Sequence, residues 1–310
     1  MRVARSDIGQ NGVMTDVSAS PSSASPIERV GVVGCGLMGS GIAEVCARSG
    51  LDVMVREATA EAAEAGRSRL VTSLDRGLSA GKMTEDERDA AMARLSFTTD
   101  VADLADRQLV VEAIIENETM KVDLFRDLDR VLIDPSAILA SNTSSIPIMK
   151  LGTATNRPEQ VVGIHFFNPV PVLRLVELVT SLMTSPETSA RAEAFAVDQL
   201  TKRVIRSQDR AGFVVNALLI PYLLSAIRMM ESGFASAEDI DVGMVEGCSH
   251  PMGPLRLTDL IGLDTTLAVA ESLYSEFKEP LYAPPPLLSR MVDAGLLGRK
   301  TGRGFYEYRR

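Results

Sequence analysis

His165 is one of only two histidines in the chain, and it ends an apolar run, Gln160-Val-Val-Gly-Ile-His165, that reads as a buried strand. An imidazole in that place works as a general base near neutral pH once something fixes which ring nitrogen carries the proton. Glu177, twelve residues on in Val172-Leu-Arg-Leu-Val-Glu177-Leu-Val, is an acid inside a segment otherwise fit for burial. Such a carboxylate needs a partner. If Asn168-Pro-Val-Pro reverses the chain into a neighbouring strand, Glu177 returns beside His165 and accepts its ring proton. The pair is then a base with its orienter, an arrangement that also stabilises the imidazolium formed when a hydroxyl gives up its proton. The competing reading pairs Glu177 with Arg174 at the surface.

A second constellation is suited to phosphate. In Arg29-Val-Gly-Val-Val-Gly34-Cys-Gly36-Leu37-Met38-Gly39-Ser-Gly41, glycines fall where a buried strand turns into a helix. Gly34 permits the tight turn, Gly36 lets a pyrophosphate approach the backbone, Gly39 lets helix and strand pack closely, and the amides around Leu37 and Met38 face the phosphates. A glycine-bearing loop without a ligand is the plain alternative. Glu57 ends the next strand about twenty residues after Gly34, where an acid that binds ribose hydroxyls belongs. Its charge repels a 2′-phosphate and so favours NAD over NADP, while neighbouring Arg56 works the other way. Cys35, between two of the glycines, reads as a space-filler.

The elements that must position these groups alternate. Arg29–Val33, Val53–Val55, Leu109–Val111, Ala137–Ala140 and Val161–His165 are short aliphatic runs separated by helical patterns, which predicts a parallel sheet. The first helix is expected over Leu37–Ser49, stopping at Gly50. Thr59–Leu95 is helical and charged, with a cap and acidic first turn at Thr84-Glu-Asp-Glu87, and reads as a helical hairpin inserted in the sheet. Ser141-Asn142-Thr143-Ser144-Ser145 follows a strand at the edge where ligands bind, and its polar groups serve either a ligand or a helix start. Asn216, on an apolar helix, is either structural or turned toward substrate. The expected fold is α/β: a Rossmann-type, doubly wound, mostly parallel sheet over residues 26–208, followed by an all-helical region over 209–310, with 1–25 a disordered tail.

Composition narrows the partners. With 32 Lys and Arg against 41 Asp and Glu, and a net charge of −9, the chain has no basic footprint for nucleic acid. Hydrophobic residues at 45% and charged ones at 24% describe an ordinary folded protein. Cys35, Cys46 and Cys248 lack CxxC spacing, so neither a disulfide framework nor a metal site is expected. The first 25 residues hold no apolar run fit for a signal peptide, which predicts a cytoplasmic protein, and Met14 is an alternative start. Ala211–Met230 carries Asn216, Pro221, Ser225 and Arg228, so it reads as a buried helix and not a membrane span. The helical region is too apolar for its size to bury everything alone, which predicts a two-fold homodimer through it.

In order along residues 28–308, these motifs resemble the L-3-hydroxyacyl-CoA dehydrogenase family, in particular its bacterial 3-hydroxybutyryl-CoA dehydrogenases. The resemblance rests on the cradle Gly34–Ala43, Glu112-Ala-Ile-Ile-Glu116-Asn, Ser141-Asn-Thr-Ser-Ser, His165-Phe-Phe-Asn-Pro, Asp209-Arg-Ala-Gly-Phe-Val-Val-Asn216, Pro251-Met-Gly-Pro and Lys300-Thr-Gly-Arg-Gly-Phe-Tyr. It implies NAD as cofactor, an acyl-CoA substrate and the oxidation of a (3S)-3-hydroxyacyl-CoA. By the same resemblance His165 is the general base, Glu177 its partner, and Ser144 and Asn216 position the substrate. Glu116, Lys121, Asn142 and Lys300 match positions that contact the cofactor, with Asn168 close to it. CoA contacts come from the hairpin, where Ser73 and Lys82 are the candidates. The family's usual lysine cluster is thin there, leaving Arg67, Arg69, Arg76 and Lys82 to meet CoA phosphates. His250, in His-Pro-Met-Gly-Pro, takes a structural or interface role. Three other readings use part of the pattern. A dehydrogenase of a free 3-hydroxy acid would carry a catalytic lysine instead of the His/Glu pair. A non-catalytic, crystallin-like relative would not need His165 and Glu177, and a bare nucleotide-binding sensor would need only the cradle.

Overall fold

Aliphatic runs that must be buried on both faces become the centre of a sheet. A computed structural model describes residues 26–308; the tail expected over residues 1–25 lies outside the described residues. The chain enters at β1 (Arg29–Val33), crosses through α1 (Leu37–Arg48) to β2 (Asp52–Arg56), and passes through α2 (Ala60–Ser79) and α3 (Glu85–Ala93) to β3 (Leu95–Thr98). It then returns to the other side of β1 as β4 (Leu109–Glu112), followed by α4 (Glu118–Val131), β5 (Ile138–Ser141), α5 (Ile148–Gly152) and β6 (Val161–Phe166). The sheet closes with β7 (Leu175–Thr180), α6 (Pro186–Ala194) and β8 (Arg203–Gln208).

The strand order is β3-β2-β1-β4-β5-β6-β7-β8. Only the β6–β7 pairing is antiparallel. Crossovers leave β1 in opposite directions, so a crevice opens at the carboxyl ends of β1 and β4, the switch point where such sheets bind ligands. Alternation along a strand sorts the two faces. Val30 and Val32 join the core under α1 and the hairpin, while Val33 joins the one containing Phe125 and Leu128 of α4. Each fully buried side chain of this size contributes about 1.5–3 kcal/mol.

The central strands match the expected runs to within a residue at each end. Two strands were not foreseen. β3 is half-buried along its length and β8 is a mixture of half-buried and exposed residues, because both lie at the sheet edges. Neither edge strand carries the unbroken apolar run that marks a central one. The hairpin is α2 and α3, and its second helix opens with the anticipated cap: Glu87 N donates to Thr84 Oγ1 at 3.2 Å and Thr84 N to Glu87 Oε2 at 2.8 Å.

Beyond Gln208 the described residues are helical: α7 (Val215–Glu231), α8 (Ala237–Cys248), α9 (Pro254–Ile261), α10 (Leu263–Phe277) and α11 (Pro286–Asp293). Their core centres on Ile220, Leu224, Ile227, Leu255 and Leu273. The helix expected from Ala211 starts at Val215 instead, because Gly212 (φ +75°) and Phe213 (φ +48°) take left-handed backbone. No helix among the described residues is long and apolar enough to cross a membrane.

Leu74 of α2 is fully buried in the core shared with α1 and β1. Leu74→Ala is expected to destabilise the protein by about 2–5 kcal/mol, measured as a lower midpoint in urea unfolding. An unshifted midpoint would show that the hairpin is not part of the cooperative unit.

Candidate active site

The cradle forms because the chain must turn from β1 into α1 within three residues. Gly34 does so at φ +90°, a conformation that other residues adopt only under strain. A Cβ on Gly39 would lie 1.8 Å from the Gly34 carbonyl oxygen, so only glycine lets the helix start that close to the strand. A Cβ on Gly36 would meet nothing within 4 Å, which leaves its backbone open to an incoming group. The first turn of α1 has no side-chain cap and no acid, so its amides are free to meet an anion. These features fit a dinucleotide pyrophosphate. Glu57, directly after β2, accepts from the Cys35 amide, and its other oxygen accepts from Ala58 N at 3.2 Å. Cys35 is fully buried, and burial, reinforced by the Glu57 charge, pushes its thiol up to about 12; it fills space between cradle and hairpin.

Two acids and one lysine build the wall beside the cradle. Glu112, the last residue of β4, is Cα-paired with Ser141, the last of β5, whose hydroxyl donates to Glu112 Oε2 at 2.5 Å. Lys121 of α4 is 1% exposed and places its ammonium 2.8 Å from Glu112 Oε1 and 2.9 Å from Glu116 Oε2. Glu116 Oε1 accepts from Thr143 Oγ1, Ser144 N and Ser145 Oγ at 2.5, 3.1 and 3.0 Å, and so holds the loop that presents Ser144. Burial pushes the Glu112 carboxyl up despite Lys121. Burial also works to raise Glu116, but the Lys121 ammonium and the Thr143 and Ser145 hydroxyls outweigh it and hold that carboxyl below its ordinary value. The Lys121 ammonium thus ties Glu116 to Glu112.

The reversal anticipated at Asn168–Pro171 brings β7 antiparallel to β6 with His165 opposite Glu177. His165 Nδ1 lies 2.7 Å from Glu177 Oε2, and Glu177 is fully buried. Arg174 is exposed and is not its partner. The other oxygen, Oε1, accepts from Val214 N at 3.0 Å and Val215 N at 2.9 Å, at the start of α7. Phe167 and Phe213 pack against the imidazole with centroids 4.6 and 5.5 Å away. Asn142 Oδ1 accepts from Phe166 N at 2.8 Å, so the Ser144 loop and the histidine strand are tied side by side. Asn216, one residue past the amides that hold Glu177, makes no side-chain hydrogen bond among the described residues, and neither does Ser144.

Other candidates are placed elsewhere. Asn168 is exposed on the loop after β6. The Lys300 ammonium is bonded to both oxygens of Asp264 at 2.6 Å, at the start of α10. His250 faces Tyr222 of α7, with Nδ1 3.1 Å from its hydroxyl. Of the hairpin cations, Arg67 stacks over Phe97 at 4.4 Å and Arg69 donates to the Cys35 carbonyl at 2.9 Å, so both are engaged within the fold. Ser73 lies half-buried on α2, while Arg76, at its last turn, and Lys82 remain exposed.

Two family models cover nearly all of the described chain. The NAD-binding domain of 3-hydroxyacyl-CoA dehydrogenase matches residues 29–210, and the C-terminal domain of the same enzyme matches 212–308. The chain belongs to the 3-hydroxyacyl-CoA dehydrogenase family. Within that family it is 62% identical to a 3-hydroxybutyryl-CoA dehydrogenase of Mycobacterium tuberculosis over 91% of this chain and 99% of the relative. A crystal structure of FadB2 from that organism superposes with a TM-score of 0.91 at 62% identity, covering 92% of this chain and all of the other. The (S)-3-hydroxybutyryl-CoA dehydrogenase of Ralstonia eutropha gives 0.87 at 46% identity over the same share of this chain and 100% of its own.

Inspection of sequence gave no role to Glu112, Asp209 or the Val214 and Val215 amides. Glu112 carries the same signal that exposed Glu177, an acid in a buried strand. The amides carry none, because backbone donors are invisible in side-chain identity. Glu177→Gln keeps the shape and an acceptor for those amides but turns an amide donor toward Nδ1. We expect the imidazole proton to move to Nε2, seen in ¹⁵N NMR shifts, with little change in the melting temperature. An unchanged tautomer would show that Glu177 does not orient the ring.

Proposed function

We propose that this chain catalyses the reversible oxidation of a (3S)-3-hydroxyacyl-CoA by NAD, with short-chain esters such as 3-hydroxybutyryl-CoA and acetoacetyl-CoA as its substrate pair. The observation that carries this reading is the 2.7 Å contact from His165 Nδ1 to Glu177, which leaves Nε2 as the basic nitrogen. With the carboxylate holding the proton on Nδ1, Nε2 accepts the proton of the C3 hydroxyl, and the imidazolium that results is stabilised by the buried charge of Glu177. With its pyrophosphate held at the Gly34–Gly39 cradle, NAD would supply the acceptor for the hydride lost from C3. The unengaged Ser144 hydroxyl and Asn216 amide orient the hydroxyl and thioester oxygens. Glu116 sets the height of the Ser144 loop, and Asn142 sets its distance from His165. A free-acid chemistry built on lysine is disfavoured, since Lys121 is 1% exposed and held between two carboxylates.

The division of labour follows the chain. Residues 26–208 hold the cofactor and the dyad, and residues 209–310 bring Asn216 and pair two copies of the chain in the cytoplasm. Leu218 on α7, Phe234 after it and Val242 on α8 are 73%, 79% and 53% exposed, apolar side chains of the kind that a second copy covers.

NADH oxidation in the presence of acetoacetyl-CoA tests the activity. His165→Ala is expected to lower kcat by about 10²- to 10⁴-fold while NADH still binds, as followed by fluorescence titration. Turnover near that of the parent would remove His165 from the mechanism. Light scattering at micromolar concentration should give the mass of two chains, and Leu218→Glu with Phe234→Glu should give one. A parent protein with the mass of a single chain would refute the dimer.

A further inference from the structure

Asp209 directly follows β8, the last strand, and begins the segment that leads into α7. Its half-buried carboxylate accepts from the amides of Ile148 and Met149 at 2.7 Å each, one on each oxygen. Those amides open α5, just beyond Ser144. The Ser144 loop is thus held by two acids, by Glu116 at the loop itself and by Asp209 where it enters α5. Downstream, the same residue anchors the segment Asp209–Val215. Ala211 N donates to Glu276 Oε2 of α10 at 3.2 Å, and Phe213 N donates to the Arg210 carbonyl at 3.0 Å. The Phe213 side chain is buried in the core that holds Ile146, Ile148 and Val179, and its ring meets His165 edge-on with centroids 5.5 Å apart. The Val214 and Val215 amides that reach Glu177 come next, and Asn216 follows them. Alongside the segment lies a cavity of about 770 Å³, bounded by Met149, Lys150 and Asp209 on the sheet side and by Ser272 and Ser275 of α10. Packing therefore leaves one flank of the segment unfilled, and directional bonds must fix it. Hydrogen bonds to a charged acceptor are the strong ones.

We propose that Asp209 is a positioning residue for the dehydrogenase reaction, a role that rests on the reading of His165 as its base. Its two oxygens hold the entry to α5 against the segment that leads into α7. One carboxylate then sets the separation of Ser144 from Asn216 and the seat of Phe213 against the imidazole. In this role Asp209 acts through Phe213, Val214 and Val215 and not by contact with substrate. A plain cap for α5 would use the same two bonds, but the dyad would be indifferent to their loss. A slip of about 1 Å at a reacting group costs up to about a hundred-fold in rate, so a small loosening of this segment is enough to be measured.

Amide hydrogen exchange, ¹⁵N NMR of the imidazole and turnover of acetoacetyl-CoA test this in the full chain. In the parent, the amides of Ile148, Met149, Val214 and Val215 are expected to show matching protection, as parts of one unit that opens together. Asp209→Asn replaces one acceptor oxygen by an NH2 group that opposes a backbone donor. It should speed exchange at Val214 and Val215 about ten-fold, move the His165 ring resonances, and lower kcat by about ten- to a hundred-fold with the KM for NADH unchanged. Asp129→Asn weakens a comparable buried acceptor for Asn156 and Arg157, ahead of β6, and should leave the ring resonances and kcat as in the parent. Unmatched protection in the parent, or His165 resonances that do not move in Asp209→Asn, would reduce Asp209 to a helix cap and overturn the proposal. So would an equal loss of kcat in Asp129→Asn. The exchange pattern of the parent decides even where the variant fails to fold. A parent that does not turn over acetoacetyl-CoA with NADH defeats the dehydrogenase reading itself, and the exchange and ring signals tell the two failures apart.

Discussion

One buried carboxylate does two jobs. Glu177 fixes the tautomer of His165 through Oε2 and accepts two backbone amides from the start of α7 through Oε1. A charge without solvent is costly unless its lone pairs are filled, and here each bond that fills them also positions something. The imidazole is aimed, and the helix that carries Asn216 is docked. The dyad and the start of α7 are therefore set by the same anion, and their spacing does not depend on long-range packing alone.

A second anion network does the same work on the cofactor side. The Glu112–Lys121–Glu116 chain is buried at one end and reaches the crevice at the other, and it ends on the Thr143–Ser145 loop. Breaking such a network by removing one partner leaves an uncompensated charge, which is more damaging than never having had the pair. Rigid sheet ends, fixed by the β4–β5 register, thus become a fixed height for Ser144. Asn142 joins this wall to the histidine strand through Phe166 N.

Much of this was legible in the residues. The cradle could be read because glycine is the only residue for which the needed backbone is cheap, and the Gly34–Gly39 spacing is set by the geometry of a strand-to-helix turn. The His165–Glu177 pair could be read because an acid in a run meant for burial announces a partner. β3 and β8 could not, since an edge strand shows one polar face and loses the unbroken apolar run. Nor could the fate of the hairpin arginines. Arg67 and Arg69 look free in sequence, yet an aromatic ring and a carbonyl distant along the chain claim them.

The segment between sheet and helices is clasped at both ends. Asp209 accepts from the amides of Ile148 and Met149 at 2.7 Å each, burial raising its carboxyl above the ordinary range, and a few residues later the amides of Val214 and Val215 close on Glu177. A joint needs slack to swing, and the left-handed turn at Gly212 and Phe213 has been wound tight between two anchors. Any twist of the helices against the sheet must pull on the oxygen that shares a carbon with the one aiming the imidazole. The angle between the two parts of the molecule is therefore felt at the imidazole ring of His165.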